Sequence, residues 1–302
     1  MWYLQNPNAM IYSRHNKYQG EIFMQRLSSF ASPTSPLLAA VIRQRTVKEA
    51  IAAITNAQYH GATGIDLHLS CLDDEYKNTK SIEEILKFCK IPVMALNYNH
   101  RIDYSGYEST EEDRIALLMM AVEAGVSCID MQGYSFDLES KGGFRQEYQS
   151  LGHSFTRGNP KEIVCDERII EKQTKLIEDC HKVGCEVLLS CHPGVYMDKN
   201  QACDLARFLE KRNPDIIKLV CPCGSDEQLA ESFATMIAMK KAVDCKVSFH
   251  LNGPKGKLSR IINPVLGGHL IFSIDGYTAA DSPEQLDLAT AKKALDALNL
   301  IK

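Results

Sequence analysis

Eight times between residue 36 and the C-terminus, a short apolar run is followed by a longer stretch with helical periodicity, and this alternation limits the fold more than any other feature. Parallel strands joined by crossover helices produce it, because each strand is covered on both faces and reads as a nearly unbroken apolar run. The predicted strands are PLLAAVI (36–42), GIDLHLS (64–70), PVMALNY (92–98), CIDMQGY (128–134), CEVLLSC (185–191), DIIKLVC (215–221), KVSFHLN (246–252) and HLIFSID (269–275). Eight consecutive units close most simply into an α/β fold of the (β/α)8 TIM-barrel type, since a doubly wound sheet has fewer strands and reverses their order. The expected organisation is an N-terminal extension over 1–35 and one barrel domain over 36–302. A long segment after strand four, 135–166, exceeds an ordinary strand-to-helix loop and is expected to form a lid, an extra helix or a subunit contact, the last making a homodimer.

Helix starts are signalled by Ser or Thr followed three residues later by Glu or Gln, a pair that can satisfy two orphan backbone donors reciprocally. Thr46 with Glu49, Ser81 with Glu84, Ser109 with Glu112, Ser225 with Gln228 and Ser282 with Gln285 fit this pattern. Gly residues before the next strand, as in HGATGID and KVGCEVLL, suit left-handed helix ends.

Composition excludes several function classes. A net charge of -4 without a basic stretch offers no footprint for nucleic acid. No run approaches the roughly 18 apolar residues of a membrane span, and MWYLQNPNAM lacks the charged and apolar regions of a secretion signal, so a cytoplasmic location away from membranes is expected. Eleven cysteines, many inside apolar runs, suit buried thiols in a reducing compartment. Cys221-Pro222-Cys223 has C-x-C spacing with no answering pair, and Gly253-Pro254-Lys255-Gly256-Lys257 is only a loose anion loop, so neither a metal nor a cofactor is expected.

In such a barrel, the working residues lie at the carboxyl ends of strands. Those positions hold Asp66 and His68, Asn97 and Tyr98, His192, Lys218, and His250 with Asn252. Lys218 is the least expected, because DIIKLVC is otherwise apolar and lysine is rarely buried without a partner. A desolvated lysine favours the neutral amine that attacks a carbonyl; the alternatives are a lysine snorkelling to the rim or pairing with a carboxylate. His192 follows the neighbouring strand and is placed to face that amine as a proton shuttle, although a single histidine is more often structural. Arg260 lies where an opening helical turn can grip a carboxylate, against the default of a surface arginine.

At these residues the sequence resembles the type I 3-dehydroquinate dehydratases, the Schiff-base dehydroquinases of shikimate or quinate metabolism, over most of the chain after residue 36. PDIIKLV is similar to the family's strand bearing the imine-forming lysine, which implies that role for Lys218. LLSCHPG is similar to its histidine motif and implies proton transfer by His192. GKLSRIINPVLGGHLIFSIDG and SPEQL resemble its Ser-Arg segment and closing loop, implying that Arg260 and Gln285 contact a substrate carboxylate and hydroxyl. GIDLHLS makes Asp66 the counterpart of a substrate-facing glutamate. His68 and Tyr98 stand at or beside positions where the family carries arginines, so they too are assigned to the substrate; Gln132 stands where a carboxylate is common, and Asp103 is the substitute offered for the acid supporting the histidine. Gln285 has a second reading as the third residue of the Ser282 capping box.

The resemblance implies elimination of water from a cyclic hydroxy-ketoacid, 3-dehydroquinate or a close analogue, with no cofactor. One rival keeps the imine but performs carbon–carbon cleavage or isomerisation of a related polyhydroxy ketone. Another uses Asp66, His68, His192 and His250 as ligands of a divalent metal in a sugar isomerase or hydrolase. A third is a silent barrel that only binds its ligand.

Overall fold

The computed structural model describes residues 27–32, 36–98, 109–143, 146–276 and 284–298. Eight strands alternate with eight helices: β1 (Leu37–Ile42), α1 (Val47–Tyr59), β2 (Gly64–His68), α2 (Thr79–Leu86), β3 (Val93–Leu96), α3 (Glu111–Ala124), β4 (Cys128–Gln132), α4 (Glu167–Lys182), β5 (Glu186–Cys191), α5 (Lys199–Glu210), β6 (Ile216–Pro222), α6 (Asp226–Ala242), β7 (Lys246–Asn252), α7 (Ser259–Val265), β8 (Leu270–Ile274) and α8 (Leu288–Ala297). The ladders run β7-β6-β5-β4-β3-β2-β1-β8, all parallel, and a short ninth strand, β9 (Leu286–Asp287), extends beside β8. A 2.8 Å backbone hydrogen bond from His269 N–H to the Val247 carbonyl bridges β7 and β8 and closes the ring. The expected barrel is therefore present, and every predicted strand falls on an observed one. Among the described residues no helix is long and apolar enough to cross a membrane.

Strand side chains alternate between two cores. Outward-facing residues such as Ile129, Met131, Ile217, Leu219 and Leu251 pack with the helices. Inward-facing Leu37, Ala39, Val41, Met94, Cys128, Leu188, Ile216, Leu270 and Phe272 fill the barrel with Phe30. Phe30 reaches this interior from outside the strands. Its N–H and that of Ala31 donate to the Glu186 carboxylate at 2.6 and 3.0 Å, Ser29 also donates to it, and the Phe30 carbonyl accepts from His269 Nε2 at 2.8 Å. Glu186 opens β5 and His269 precedes β8, so segment 27–32 stoppers the amino-terminal end and leaves the carboxyl end for polar groups.

Three of the expected helix caps shift. Thr46 and Glu49 form the reciprocal box, and Ser225 accepts from Gln228 N–H, although the Gln228 side chain turns to Gly224 N–H. The next helix starts earlier, because Asn78 rather than Ser81 accepts the first orphan donor, and the following one is capped by Thr110 rather than Ser109. Ser282 lies outside the described residues; α8 begins instead at Asp287, which accepts from Thr290 N–H at 2.9 Å, so Gln285 precedes a strand rather than entering a helix. A reciprocal box not anticipated joins Asp198 and Gln201 at the head of α5.

Replacing Phe30 with Ala removes the stopper's apolar mass from a site that cannot collapse. It is expected to cost about 3–5 kcal/mol, read as a lower urea midpoint at an unchanged slope; an unaltered midpoint would show that the stopper does not support the barrel.

Candidate active site

Because inward residues recur every second position, β6 sends Ile216 and then Lys218 into the barrel while Ile217 and Leu219 face the helices. Strand register then places Gln132, Ser190, Lys218 and Ser248 in one row across β4, β5, β6 and β7. This row lies one step above the apolar floor, where the interior turns polar. Lys218 is only 4% exposed, and its Nζ donates to Asp130 Oδ2 at 2.9 Å and to the Tyr98 hydroxyl at 3.3 Å, with the Phe272 ring centroid 4.9 Å away. The lysine is thus buried and paired with a carboxylate, the alternative left open by the sequence.

Asp130 was not among the residues singled out, although it shares the inward face with Gln132 two positions later. Ser190 Oγ donates to its Oδ1 at 2.5 Å, and Gln132 Nε2 donates to the same oxygen at 3.3 Å. Gln132 does not replace the carboxylate; its own Oε1 accepts from Arg114, which also donates to the Asn97 carbonyl at 3.1 Å and to Ser135 Oγ at 2.8 Å. Fully buried Arg114 pairs in turn with Glu111 at 2.7 Å, so α3 braces the carboxylate that holds Lys218.

His192 stands at the end of β5 with its side chain 30% exposed to the mouth. Glu162 Oε2 accepts both its backbone N–H, at 2.9 Å, and its ring Nδ1–H, at 2.8 Å. Since a carboxylate only accepts, Nδ1 carries a proton, and in the neutral ring Nε2 is the acceptor. Nε2 lies 3.5 Å from the Tyr98 hydroxyl. Asp103, the substitute suggested for this supporting acid, lies outside the described residues; Glu162, 30 positions before His192 in an irregular segment, carried no sequence signal.

The long segment after β4 thereby acquires a role. It folds as three short 3-10 turns, Leu138–Lys141, Gln146–Leu151 and Ser154–Thr156, and its end returns to the barrel through Lys161 N–H to the Pro193 carbonyl at 2.7 Å and Glu162 N–H to the Ser140 carbonyl at 2.8 Å. Glu162 adopts a left-handed backbone, φ 60, uncommon for a residue with a Cβ and typical of strain kept at working positions. Gly133 makes room for it: a Cβ there would stand 2.1 Å from the Glu162 carbonyl oxygen.

The remaining sequence-selected residues lie on or after the strands, Asp66 and His68 on β2, His250 on β7, Arg260 after β7 and Gln285 after β8. Asp66 and His68 are both buried and contact each other, Oδ2 to Nε2 at 3.3 Å, while no described residue donates to Asp66 Oδ1. His250 Nε2 meets Ser248 Oγ at 2.9 Å. Arg260 occupies the first turn of α7; burial lowers its pKa to about 10, against the pull of Glu284, and no described residue accepts from its Nε. Gln285 is buried beside β9. The loose anion loop receives a carboxylate of its own chain, because Gly253 N–H donates to Glu284. Among the described residues no group of three or more His, Cys, Asp or Glu side chains is arranged to hold a metal, so the proposed Asp66, His68, His192 and His250 set does not assemble.

Burial, then the positive charges of Arg260, Lys218 and His192, drives the His250 pKa well below the usual histidine value; burial also lowers that of His269. Both are proton-free in the folded chain at pH values where the unfolded chain binds protons. Stability is therefore expected to fall as pH drops below about 6.5, by up to about 1.4 kcal/mol per pH unit for each histidine. Urea titrations of His250→Gln should show a shallower fall; an identical slope would contradict the buried neutral ring.

Comparison with known proteins agrees with the barrel. A family model described as Type I 3-dehydroquinase matches residues 38–302. A 3-dehydroquinate dehydratase of Staphylococcus epidermidis is 30% identical over 107 residues, 34% of this chain and 44% of that protein, so the matched segment spans less than half of this relative. Among solved structures, a type I 3-dehydroquinate dehydratase from Clostridium difficile superimposes with a TM-score of 0.69 at 13% identity, covering 91% of this chain and 98% of that one. The 3-dehydroquinate dehydratase from Geobacillus kaustophilus gives 0.68 at 11% identity, covering 88% and 92%. At such identities the superpositions establish the barrel, and the family match over nearly all of it establishes the lineage: the chain belongs to the type I 3-dehydroquinase family.

Proposed function

We propose that this chain is a Schiff-base dehydratase that removes water from 3-dehydroquinate or a closely related cyclic hydroxy-ketoacid, with residues 36–302 as its catalytic domain and 1–35 as an extension. The observation that carries the reading is Lys218, an amine buried in the barrel and joined through one hydroxyl to a histidine open to the mouth. Neutral Nζ adds to the ketone carbon; the carbinolamine loses its oxygen as water, leaving an iminium whose positive nitrogen faces Asp130. The iminium draws electrons from the neighbouring carbon, so His192 Nε2 can take a proton from that carbon and return it to the departing hydroxyl. Water then hydrolyses the iminium and frees the enone product and Lys218. Glu162 holds the imidazole in the required tautomer and balances its charge when protonated.

Arg260 is the guanidinium that supports carboxylate recognition here, its buried position favouring a negatively charged partner. Asp66, His68 and Gln285 would contact substrate hydroxyls. Eleven cysteines, nearly all buried, suit a reducing setting, consistent with work in the cytoplasm.

Turnover of 3-dehydroquinate, followed by the ultraviolet absorbance of the conjugated product, tests the reading. Wild-type protein is expected to be active, Lys218→Met to lose at least about 10³-fold in kcat, and His192→Gln and Glu162→Gln to lose about 10²–10⁴-fold and less, respectively. No turnover by the wild-type chain, or full activity in Lys218→Met, would remove the proposal.

A further inference from the structure

Lys218 has two hydrogen-bond acceptors, and they differ in what they can do with a proton. Asp130 already accepts from Ser190 and Gln132 as well as from Lys218, and from the Tyr98 hydroxyl at 3.5 Å; it lies fully buried, so its link toward the mouth runs through that same hydroxyl. The Tyr98 hydroxyl accepts from Lys218 Nζ at 3.3 Å and lies 3.5 Å from His192 Nε2, the acceptor nitrogen of the neutral ring while Glu162 holds Nδ1–H. Its ring is wedged edge-on between two imidazoles, with centroids 5.7 Å from His192 and 6.3 Å from His68, so the hydroxyl has a fixed position between the amine and the exposed base.

We propose that Tyr98 is a catalytic proton relay that connects Lys218 to His192, rather than a group that only binds substrate. This inference rests on the dehydratase reading above and supplies the step that reading needs first, the conversion of an ion-paired ammonium into a nucleophile. In that step an N–H bond of the Lys218 ammonium breaks and its proton forms an O–H bond on Tyr98, while the original phenolic proton passes to His192 Nε2. The sum is a neutral amine and an imidazolium held by Glu162, with Tyr98 unchanged. The reverse path returns the proton to the carbinolamine oxygen, which leaves as water.

The phenol must act by passing one proton as it receives another. Burial and the surrounding carboxylates of Asp130, Glu162 and Asp66 push its pKa well above the ordinary tyrosine value, so a free phenolate is excluded as a resting species. Facing it are Asp66 and His68 from β2, Asp130 from β4, His192 beyond β5 with Glu162, and Lys218 from β6. At 3.3 and 3.5 Å both contacts are longer than ordinary hydrogen bonds, as catalytic contacts commonly are before substrate closes them.

The test uses the full chain and its Tyr98→Phe variant, which keeps the wedged ring and removes only the oxygen. Each is mixed with 3-dehydroquinate for set times, quenched into borohydride, and read by intact mass and by mapping the label to Lys218. At saturating substrate and pH 7, Tyr98→Phe is expected to form the trapped imine about 100-fold more slowly, and the gap should narrow as pH rises because hydroxide then removes the ammonium proton. In the wild type, imine formation in mixed light and heavy water should give a curved dependence on deuterium content, since two protons move together. Labelling of Tyr98→Phe at the wild-type rate, with only the substrate concentration dependence shifted, assigns Tyr98 to binding and overturns the relay while leaving the dehydratase reading intact. Slowing that is equal at every pH, or a linear deuterium dependence in the wild type, overturns it as well. A wild-type chain that never becomes labelled overturns both.

Discussion

A lysine amine inside a closed barrel needs a counter-charge, and the Lys218–Asp130 pair meets that need. Transferring either ion alone from water would cost several kcal/mol, so the pair persists only because each member is held by the other and by further hydrogen bonds. Asp130 accordingly receives Ser190 and Gln132, Gln132 receives Arg114, and Arg114 is held by Glu111. What starts as one charged amine on β6 therefore dictates polar residues on β4 and β5 and a buried arginine on α3. Such a chain adds little to stability compared with an apolar filling; it makes the position of one nitrogen specific.

The two ends of the barrel divide the work. At the amino-terminal end Phe30 and the inward apolar residues exclude water and close the floor. At the other end, the long segment after β4 supplies Glu162, which fixes the tautomer of His192 from outside the strand framework. That placement has a structural cost visible in two residues: Glu162 takes a left-handed backbone, and Gly133 cannot carry a side chain beside it. The segment is therefore part of the site rather than only a cover over it.

The architecture could be read from the sequence because buried parallel strands leave continuous apolar runs such as PLLAAVI, and an out-of-place charge such as Lys218 stands out within the run DIIKLVC. His192 and Arg260 were legible for the same reason, being tied to strand ends and a helix start. Asp130 is legible in principle, since it shares its face with Gln132, but an acid inside CIDMQGY stands out less than the lone lysine of DIIKLVC. Glu162 is not legible, because an irregular chain has no period from which to infer its direction, and its contact with His192 spans 30 positions. Caps were only partly legible: Asn78, three residues before the expected Ser81, and Thr110, one residue after the expected Ser109, accept the first backbone donors instead.

In the proposed reaction one buried amine, one phenol and one carboxylate-held imidazole converge on a single reacting carbon. A crystal structure of the full chain after borohydride reduction in the presence of 3-dehydroquinate measures this directly. Continuous density is expected from Lys218 Nζ into the reduced ligand, with the Tyr98 hydroxyl and His192 Nε2 facing it, Glu162 still on Nδ1 and Asp130 beside the new secondary amine. Density joined to a different lysine, or a His192 ring turned away from both Glu162 and the ligand, would contradict it.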